Sequence, residues 1–320
     1  MASVNSDSSE RKRSIAVLLH YLAWIVDKLG VLLLHESRFS RLIRRPIWKR
    51  AYSAYCRDCL ATDFMAFLNL GYLTDSDELA GSDIEGIADR VSERLYDQIV
   101  GDTDLKGKSA IEVGCGPGAG SAYLTRTRSP ASFVGIDLNK DLIAWCHEHH
   151  DLPNLRFLQG DAQDLPIESG SLDAVVNLES SHCYPSRLRF FEEVTRVLRP
   201  GGSFLFADVI VTDPTGDAPG VVSTWLNEAG LTIEDRIDIT DNVLAARDVV
   251  SCSPSFLSRL RGSIPLWTVP VVEQALYLHG TTTYKRLTSR GVRYMQWKAS
   301  KPHESSSVSS TADAVGSIAG

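Results

Sequence analysis

The 320-residue chain is poor in cysteine, in basic charge and in long hydrophobic runs. Six cysteines in a chain of this length are too few for a disulfide scaffold, which favours a reducing compartment. The formal net charge is −7, whereas nucleic-acid binders carry an excess of positive charge, so we expect no nucleic-acid partner. With 43% hydrophobic and 23% charged residues, the composition is that of an ordinary globular protein of one or two domains.

Apolar stretches long enough for a membrane span are also missing. Apolar residues recur at helical spacing from Ile15 to Leu33, but Asp27 and Lys28 interrupt the run after about a dozen residues, whereas a span needs about 20. No small-residue cleavage site follows, so we expect no cleaved signal peptide. Basic clusters flank this stretch, and three interpretations stay open: a helix in a membrane interface, a helix packed on the protein's own core, and a true span. We predict the first, with peripheral membrane contact through residues 11–50 of a cytoplasmic protein.

Short apolar runs of strand length alternate with helical segments from residue 108 onward. This alternation predicts a doubly wound α/β domain with a mostly parallel sheet over residues 108–300. Residues 47–107 are predicted to form a helical cap with a break at Gly71, and residues 243–290 a helical lid over the substrate. The apolar residues of that lid suit a hydrophobic substrate, and they equally suit packing. Residues 1–46 are predicted to be a separate N-terminal extension and residues 301–320 a disordered tail.

A glycine-rich turn carries the strongest chemical indication. Residues 112–120 have the sequence Glu-Val-Gly-Cys-Gly-Pro-Gly-Ala-Gly and join a predicted strand to a predicted helix, so the backbone can approach a ligand closely at the helix N-terminus. Gly114, Gly116 and Ala119 also fit the relaxed dinucleotide fingerprint. However, a carboxylate at Glu112 would repel the pyrophosphate of a dinucleotide, and it suits a ligand that carries an ammonium group.

Three consecutive predicted strands end in carboxylates. Glu112 ends the first, and Asp137 ends the second about 20 residues further on, at the position that binds ribose hydroxyls. Asp161 follows the third strand, where a carboxylate can accept from an adenine amino group. Together they describe a ligand with a ribose and an amine but no phosphates. S-adenosylmethionine has that shape.

On these residues the chain resembles the class I S-adenosylmethionine-dependent methyltransferases. The segments IEVGCGPGAG, GIDLN and QGDAQDLP occur in the order of the motifs of that family, and LRPGG at Leu198–Gly202 precedes the predicted fifth strand. The resemblance covers residues 108–210 and implies a Rossmann-like sheet of seven strands with S-adenosylmethionine as cofactor. The residues that it implies for cofactor binding are Tyr72, Glu112, Gly114, Gly116, Asp137, Leu138, Asp161, Ala162 and Asn177. For Tyr72, core packing is an equally open interpretation.

A closer resemblance covers residues 47–300. FLNLGYLTD and NLESSHCYPSRLRFFEEVTRVLRPGG are similar to segments of the mycobacterial phthiotriolone and phenolphthiotriolone dimycocerosate methyltransferases, which O-methylate a hydroxyl on a long lipid. The second segment is also similar to natural-product sugar O-methyltransferases, whose fourth strand leads into Glu-Ser-x-His. The resemblance implies O-methylation of a hydrophobic small molecule such as a lipid, a polyketide or another secondary metabolite.

His182 is the candidate general base and Asp208 its partner. An aliphatic hydroxyl must lose its proton as the new bond forms, and a neutral imidazole with a pKa of about 6.5 suits that task. His182 follows the predicted fourth strand and Asp208 ends the fifth, so a hydrogen bond between them is expected at the carboxyl edge of the sheet, where open α/β sheets bind ligands. The alternative is that His182 only caps the strand.

Other chemistry has weaker support in the sequence. Cys56 and Cys59 have zinc-ligand spacing but no second pair, and the cysteine–histidine cluster at 146–150 lies on a helix where adjacent residues diverge, so we predict no metal. An N- or C-methyltransferase of the sterol or quinone type could use the same fold, since fold does not fix the acceptor. A nicotinamide-dependent oxidoreductase and a catalytically silent membrane scaffold are more distant alternatives.

Overall fold

The computed structural model describes residues 66–74, 86–212, 218–265 and 268–303. The strands in these ranges are β1 (Ser109–Val113), β2 (Ser132–Asp137), β3 (Leu155–Gln159), β4 (Leu172–Leu178), β5 (Leu198–Val211), β6 (Thr232–Asp238) and β7 (Val292–Ser300). The helices in these ranges are α1 (Ile87–Val100), α2 (Ala119–Arg128), α3 (Lys140–His149), α4 (Arg187–Val197), α5 (Ala218–Glu228), α6 (Thr240–Ser251), α7 (Pro254–Ser263), α8 (Val269–Ala275) and α9 (Thr282–Thr288). A single 3₁₀ turn, Ser181–Cys183, follows β4.

The seven strands form one sheet in the order β3-β2-β1-β4-β5-β7-β6. Pairings among β1 to β5 are parallel, whereas β7 inserts between β5 and β6 and is antiparallel to both. The prediction of a doubly wound, mostly parallel seven-stranded sheet is therefore confirmed, and the antiparallel β7 makes the sheet mixed. The order reverses between β1 and β4, and this is where open α/β sheets form their ligand crevice.

Both faces of the sheet are covered by helices because its central strands are apolar on both sides. Along β1, Ala110 joins one core and Ile111 joins the other, and Val176 and Val175 divide in the same way along β4. Helices α1, α2, α3 and α6 pack on the first face, and α4 and α5 pack on the second. This three-layer packing leaves the carboxyl ends of the strands as the edge where a ligand can enter.

The predicted lid at 243–290 forms helices that share a third hydrophobic cluster with α1. Phe256, Leu260 and Ile264 are buried there against Ile87 and Val91 of α1. Phe256, Leu260 and Ile264 therefore serve packing, whereas Val271 of the same predicted lid is exposed. Residues 266 and 267 lie outside the described ranges.

Several predictions concern segments beyond the described ranges. The N-terminal extension at 1–46, the basic membrane-contact region at 11–50, the Cys56 and Cys59 pair and the tail beyond residue 303 all fall there. Of the predicted cap at 47–107, residues 66–74 are not helical, and α1 packs on the sheet. In the part of the chain that the structure covers, no helix is long and apolar enough to cross a membrane.

Candidate active site

A cavity that is partly open to solvent lies at the carboxyl edge of the sheet. The predicted cofactor residues that line it are Gly114, Gly116, Asp137, Leu138, Asp161 and Ala162. They come from the loops after β1, β2 and β3, which the sheet order places side by side. Residues 66–69, which precede α1 in the chain, also line the cavity. The structure thus brings six of the nine predicted cofactor residues to one cavity.

The glycine-rich turn between β1 and α2 needs glycine for two separate reasons. Gly114 and Gly116 both have left-handed backbone conformations, with φ of 76° and 54°. A Cβ on Gly114 would collide with the Ser180 side chain, so this glycine allows the turn to pack on the loop after β4. A Cβ on Gly116 would meet only Leu68 Cδ1, at 3.5 Å, and both residues line the cavity. Glycine at 116 therefore keeps space open for a ligand.

Asp137 lies at the end of β2 with both carboxyl oxygens positioned by backbone donors. Oδ2 accepts from the Gly116 N–H at 3.1 Å and Oδ1 accepts from the Asn139 N–H at 2.8 Å. Burial raises the pKa of Asp137, although these backbone hydrogen bonds counteract the rise. Each oxygen has a further lone pair, so the carboxylate can accept from two ribose hydroxyls without losing its supports.

Asp161 follows β3 and lines the same cavity. Its Oδ1 accepts from the Gln163 N–H at 3.1 Å, which fixes the carboxyl group at the start of a turn. Ala162 next to it is buried and offers a small apolar wall. A carboxylate beside a small apolar surface is compatible with the amino edge and the ring face of an adenine.

Glu112 is enclosed behind the cavity and is not part of its lining. The side chain is buried, Oε1 accepts from the Tyr96 hydroxyl at 2.6 Å and Oε2 accepts from the Ser121 hydroxyl at 2.5 Å. Burial raises the pKa of Glu112 to about 7, although the two hydroxyl donors oppose the rise. Tyr96 itself lines the cavity. The Tyr96 hydroxyl therefore links Glu112 to the space that a ligand would occupy.

Two further predicted cofactor residues, Tyr72 and Asn177, are also outside the lining. Tyr72 packs against the first core, and its backbone N–H donates to the Val91 carbonyl at 2.9 Å. Asn177 is fully buried at the end of β4, where its Nδ2 donates to the Val113 carbonyl at 2.8 Å and to Ser180 Oγ at 2.7 Å. In the described residues its Oδ1 has no hydrogen-bond partner. Asn177 thus joins the end of β1 to the loop after β4.

His182 and Asp208 meet as predicted. His182 Nδ1 lies 2.7 Å from Asp208 Oδ1, and the backbone N–H of His182 donates to Oδ2 at 2.9 Å. With Asp208 as acceptor, Nδ1 carries the proton, and Nε2 is the basic nitrogen of the neutral ring. His182 is not among the residues that line the cavity, but Ser180 and Cys183 on either side of it are.

Asp208 is completely buried and surrounded by donors. The Ser181 hydroxyl donates to Oδ2, the Val209 N–H donates to Oδ1 at 2.8 Å, and the Arg187 guanidinium lies 3.7 Å from Oδ2. Burial alone would raise the pKa of Asp208, but His182 and Arg187 outweigh burial and the pKa lies below its usual value.

The same ion pair sets the charge of His182. Burial disfavours the imidazolium, but the neighbouring Cys183 and the Asp208 carboxylate favour it, and the pKa of His182 rises well above its usual 6.5. The pair is therefore an imidazolium and a carboxylate held in one orientation. Nε2 becomes basic when this imidazolium loses its Nε2 proton, and the Asp208 carboxylate then stabilises the charge that forms when the neutral ring takes up a proton again.

Glu179 is a cavity residue to which the sequence analysis assigned no role. It stands in a left-handed backbone conformation, with φ of 48°, directly after β4. That conformation costs a residue other than glycine about 1–2 kcal/mol, and such strain clusters at functional sites. Burial raises the pKa of Glu179 to about 7, although hydrogen bonds from Tyr294 and Leu70 oppose the rise. Glu179 is the first residue of the Glu-Ser-x-His segment, but its left-handed backbone conformation cannot be predicted from the sequence.

Arg247 on α6 was also not predicted. It is buried, and its Nε has no hydrogen-bond partner in the described ranges. Burial lowers its pKa to about 10, while the nearby Glu179 and Tyr294 favour its charged form. Arg247 therefore supplies a positive charge behind the carboxyl group of Glu179.

No group of three or more histidine, cysteine or carboxylate side chains within the described segments could hold a metal ion. The residues that line the cavity fit S-adenosylmethionine. Three carboxylates, Asp137, Asp161 and Glu179, face a space that a side chain at Gly116 would fill, and among the described residues no lysine, arginine or histidine lines it. A cavity of this charge suits a cationic ligand with hydroxyl and amino groups.

Comparisons with known proteins agree with this geometry. Residues 111–206 match the methyltransferase domain family. The chain is 43% identical over 216 residues to the phthiotriol/phenolphthiotriol dimycocerosates methyltransferase of Mycobacterium tuberculosis, covering 66% of this chain and 80% of that protein. It is 45% identical over 163 residues to a fatty-acid O-methyltransferase of Mycolicibacterium smegmatis, covering 48% of this chain and 56% of that protein.

Among solved structures, the [4+2]-cyclase SpnF shares the fold. Its TM-score is 0.62 at 19% identity, over 81% of this chain and 95% of that one. The predicted enzyme class and cofactor are confirmed by the family match and by the curated relatives. The chain belongs to the class I S-adenosylmethionine-dependent methyltransferases.

Proposed function

We propose that this methyltransferase transfers the methyl group to a hydroxyl of a hydrophobic small molecule such as a lipid or polyketide. The observation that carries the proposal is the His182–Asp208 pair, with 2.7 Å between Nδ1 and Oδ1, beside the cavity that holds the cofactor residues. A weakly acidic hydroxyl needs a base, and this pair is a base with a built-in counter-charge.

The chain's own residues divide into two groups along the cavity. Asp137 would hold the ribose hydroxyls, and Asp161 with Ala162 would hold the adenine, so the donor lies over β1 to β3. S-adenosylmethionine supplies a methyl group on a positively charged sulfur, which an acceptor oxygen attacks as the sulfur–carbon bond breaks. Residues after β4 then flank the acceptor, because β4 is the next strand across the topological switch of the sheet.

In the proposed reaction, His182 Nε2 takes the acceptor's hydroxyl proton as the oxygen–carbon bond forms. Asp208 holds Nδ1 and stabilises the imidazolium that results, so the proton is never released into an apolar environment. Because the pKa of His182 lies well above its usual value, the ring is protonated in much of the resting protein at neutral pH. We therefore expect turnover to rise with pH as the neutral ring becomes more abundant.

The acceptor's hydrophobic nature is supported by the cavity wall and by the relatives. Phe67, Leu68 and Leu178 line the cavity near Glu179. The two relatives are named for a fatty acid and for phthiotriol and phenolphthiotriol dimycocerosates. A carboxylate acceptor would meet the like charge of Glu179 when that residue is ionised, and no cationic side chain among the described lining residues would compensate for it. A neutral hydroxyl avoids this repulsion.

An amine acceptor is the second candidate, because the ionised form of Glu179 attracts a cationic group. The two candidates differ in their product. An O-methyl ether and an N-methyl amine are distinguished by mass spectrometry of the product formed from a long-chain alcohol and from a long-chain amine of equal length.

The test is His182→Ala assayed with a long-chain alcohol. We expect cofactor affinity by calorimetry to stay close to that of the wild type, while turnover falls by about 10²- to 10⁴-fold, the usual contribution of a positioned base. His279→Ala is the matched control, because His279 also pairs with an aspartate, Asp248 at 2.8 Å, but is exposed. Near-normal turnover in His182→Ala, or methylation of the amine alone, would overturn the proposal.

A further inference from the structure

The two carboxyl oxygens of Glu179 have different surroundings. Oε1 accepts two hydrogen bonds, from the Leu70 N–H and from the Tyr294 hydroxyl, both at 2.6 Å. Oε2 has no hydrogen-bond partner in the described parts of the chain, although the residue lines the cavity. A carboxyl oxygen next to apolar walls without a donor is costly, so a ligand that brings a donor to Oε2 gains from it.

The carboxyl group of Glu179 is fixed in place. The Glu179 N–H donates to the Ala207 carbonyl of β5 at 2.9 Å, while Oε1 ties the side chain to β7 through Tyr294 and to the segment at 66–74 through Leu70. The group therefore needs no reorganisation when a ligand binds. A hydrogen-bond acceptor that is held in place in this way contributes to the selectivity of binding as well as to its affinity.

Glu179 lies on the acceptor side of the cavity. The residues that suit ribose and adenine follow β2 and β3, on the other side of β1, whereas Glu179 follows β4 and precedes the base His182 by three residues. Glu179 and His182 are close enough for each charge to act on the other, since His182 lowers the pKa of Glu179. A molecule whose hydroxyl reaches His182 therefore has its neighbouring atoms near Glu179.

We propose that Glu179 selects the acceptor by accepting, on Oε2, a hydrogen bond from a second hydroxyl one or two carbons away from the hydroxyl that is methylated. The preferred acceptor is then a hydrophobic diol and not a lone alcohol. This inference rests on the proposed function, since it assumes that the reacting group is a hydroxyl held at His182.

A diol fits better than other second groups. A second carboxylate would be repelled by Glu179 and Asp208, and an apolar group would leave Oε2 without a donor. A hydroxyl is neutral, donates one hydrogen bond and is small enough to share the space beside the first hydroxyl. Charge-assisted hydrogen bonds are about twice as strong as neutral ones, so the ionised form of Glu179 should select the diol most strongly.

Ionisation of Glu179 depends on several neighbours. The titratable and charged groups around it are Tyr96, His182, Asp208, Arg247, Tyr277 and Tyr294. The net effect of burial and of these neighbours is a pKa of about 7 for Glu179. Selectivity for the diol should therefore increase as the pH rises through neutrality.

The experiment measures kcat/KM for a long-chain vicinal diol and for the secondary alcohol of the same chain length, from about pH 6 to about pH 9, and uses their ratio. Because both acceptors share the cofactor and His182, their ratio cancels the titration of His182. We expect the wild type to favour the diol by about tenfold or more above neutral pH, with the ratio falling towards acid.

Two variants of the full chain test the assignment. Glu179→Gln keeps an oxygen for Leu70 and Tyr294 but cannot ionise, so the ratio should fall by about tenfold and lose its pH dependence. Tyr294→Phe keeps the carboxyl group but removes a donor that lowers its pKa, so the rise of the ratio should move to higher pH. The second variant still tests the proposal if the first does not fold.

The outcomes separate this inference from the proposed function. Methyl ethers formed from both acceptors with equal kcat/KM, or an unchanged ratio in Glu179→Gln, would overturn the role of Glu179 and leave the role of His182 intact. Absence of any methyl ether from either alcohol would overturn the proposed function itself.

Discussion

Two carboxyl groups on central strands, Asp208 of β5 and Glu112 of β1, are equally enclosed but differ in their donors. Asp208 does not end its strand as predicted, because β5 continues to Val211 along β7. Asp208 accepts from His182, from the Ser181 hydroxyl and from a backbone N–H, with Arg187 at 3.7 Å. Glu112 accepts from the hydroxyls of Tyr96 and Ser121, and in the described ranges none of its donors carries a charge. Burial raises the pKa of both carboxyls, yet that of Asp208 lies below its usual value and that of Glu112 rises to about 7.

The difference shows that cationic donors, and not hydrogen bonds alone, decide whether an enclosed carboxyl stays ionised. Neutral donors leave most of the desolvation cost in place, whereas a paired cation compensates for it. Asp208 on β5 therefore holds a permanent charge that can stabilise an imidazolium. The end of β1 holds a carboxyl group whose charge changes near neutral pH.

The largest effect is expected when the permanent charge of Asp208 is removed. In Asp208→Asn the amide cannot stabilise the imidazolium of His182, so we expect turnover to fall by about 10²- to 10⁴-fold while the cofactor still binds. The double variant with His182→Ala should lose little more than the worse single variant, because the two residues act as a unit. Steady-state kinetics of the three variants measures this.

Asp248→Asn is the matched control for Asp208→Asn, since Asp248 also pairs with a histidine but is half exposed. A thermal melt of each variant establishes that it is folded before its turnover is compared. Losses that multiply fully in the double variant would contradict a shared role of His182 and Asp208.

The sequence predicted this contrast only in part. The alternation of apolar runs was sufficient for the sheet, because parallel strands buried on both faces contain continuous apolar runs, as at 174–176 in β4 and 204–207 in β5. The His182–Asp208 contact followed from the same reasoning, since neighbouring parallel strands end at one edge. Strand order at the far edge did not follow, because β7 pairs with β5 through backbone hydrogen bonds, and the side chains of β7 are of types that a parallel strand would also carry.

The missing parts of the site involve residues that are distant in sequence. Tyr96 reaches Glu112 from α1 and Tyr294 reaches Glu179 from β7, and no local pattern encodes either contact. The left-handed conformation of Glu179 was not predictable either, because in a sequence such a conformation is usually indicated by a glycine. Composition and spacing therefore located the carboxylates but did not reveal which of them face the cavity.

A second prediction concerns Asp137, whose surroundings lie between these two extremes. It is half-buried and accepts from two backbone N–H groups, and in the described part of the chain no cation pairs with it. Because two ribose hydroxyls would donate to it, we expect Asp137→Ala to weaken S-adenosylmethionine binding by about tenfold to a hundredfold in calorimetry. The exposed Asp141 follows on the same turn, and Asp141→Ala should leave the affinity unchanged. Equal affinity in Asp137→Ala and the wild type would contradict the ribose assignment.

The smallest expected effect concerns the charge of Glu112 in the protein without cofactor. Its pKa rises from the usual 4.5 to about 7, so between these values the folded protein holds a proton that the unfolded chain has lost. Stability should therefore fall as the pH rises through this interval, which is the sign that proton linkage requires for a raised carboxyl pKa. Glu112→Gln removes this contribution, because an amide does not titrate.

We expect the melting temperature of the wild type to fall by about 2–6 °C more than that of Glu112→Gln between about pH 5.5 and about pH 8. Ser121→Ala sharpens the test, because losing the Ser121 hydroxyl removes a donor that lowers the pKa of Glu112 and should make the decline steeper. Glu179 also titrates near pH 7, but it is present in all three proteins and contributes equally. Parallel declines of the melting temperature in the wild type and in Glu112→Gln would show that Glu112 is ionised over this whole pH range. The two carboxyl groups would then not differ in charge, and the inferred difference between the pKa of Glu112 and that of Asp208 would be wrong.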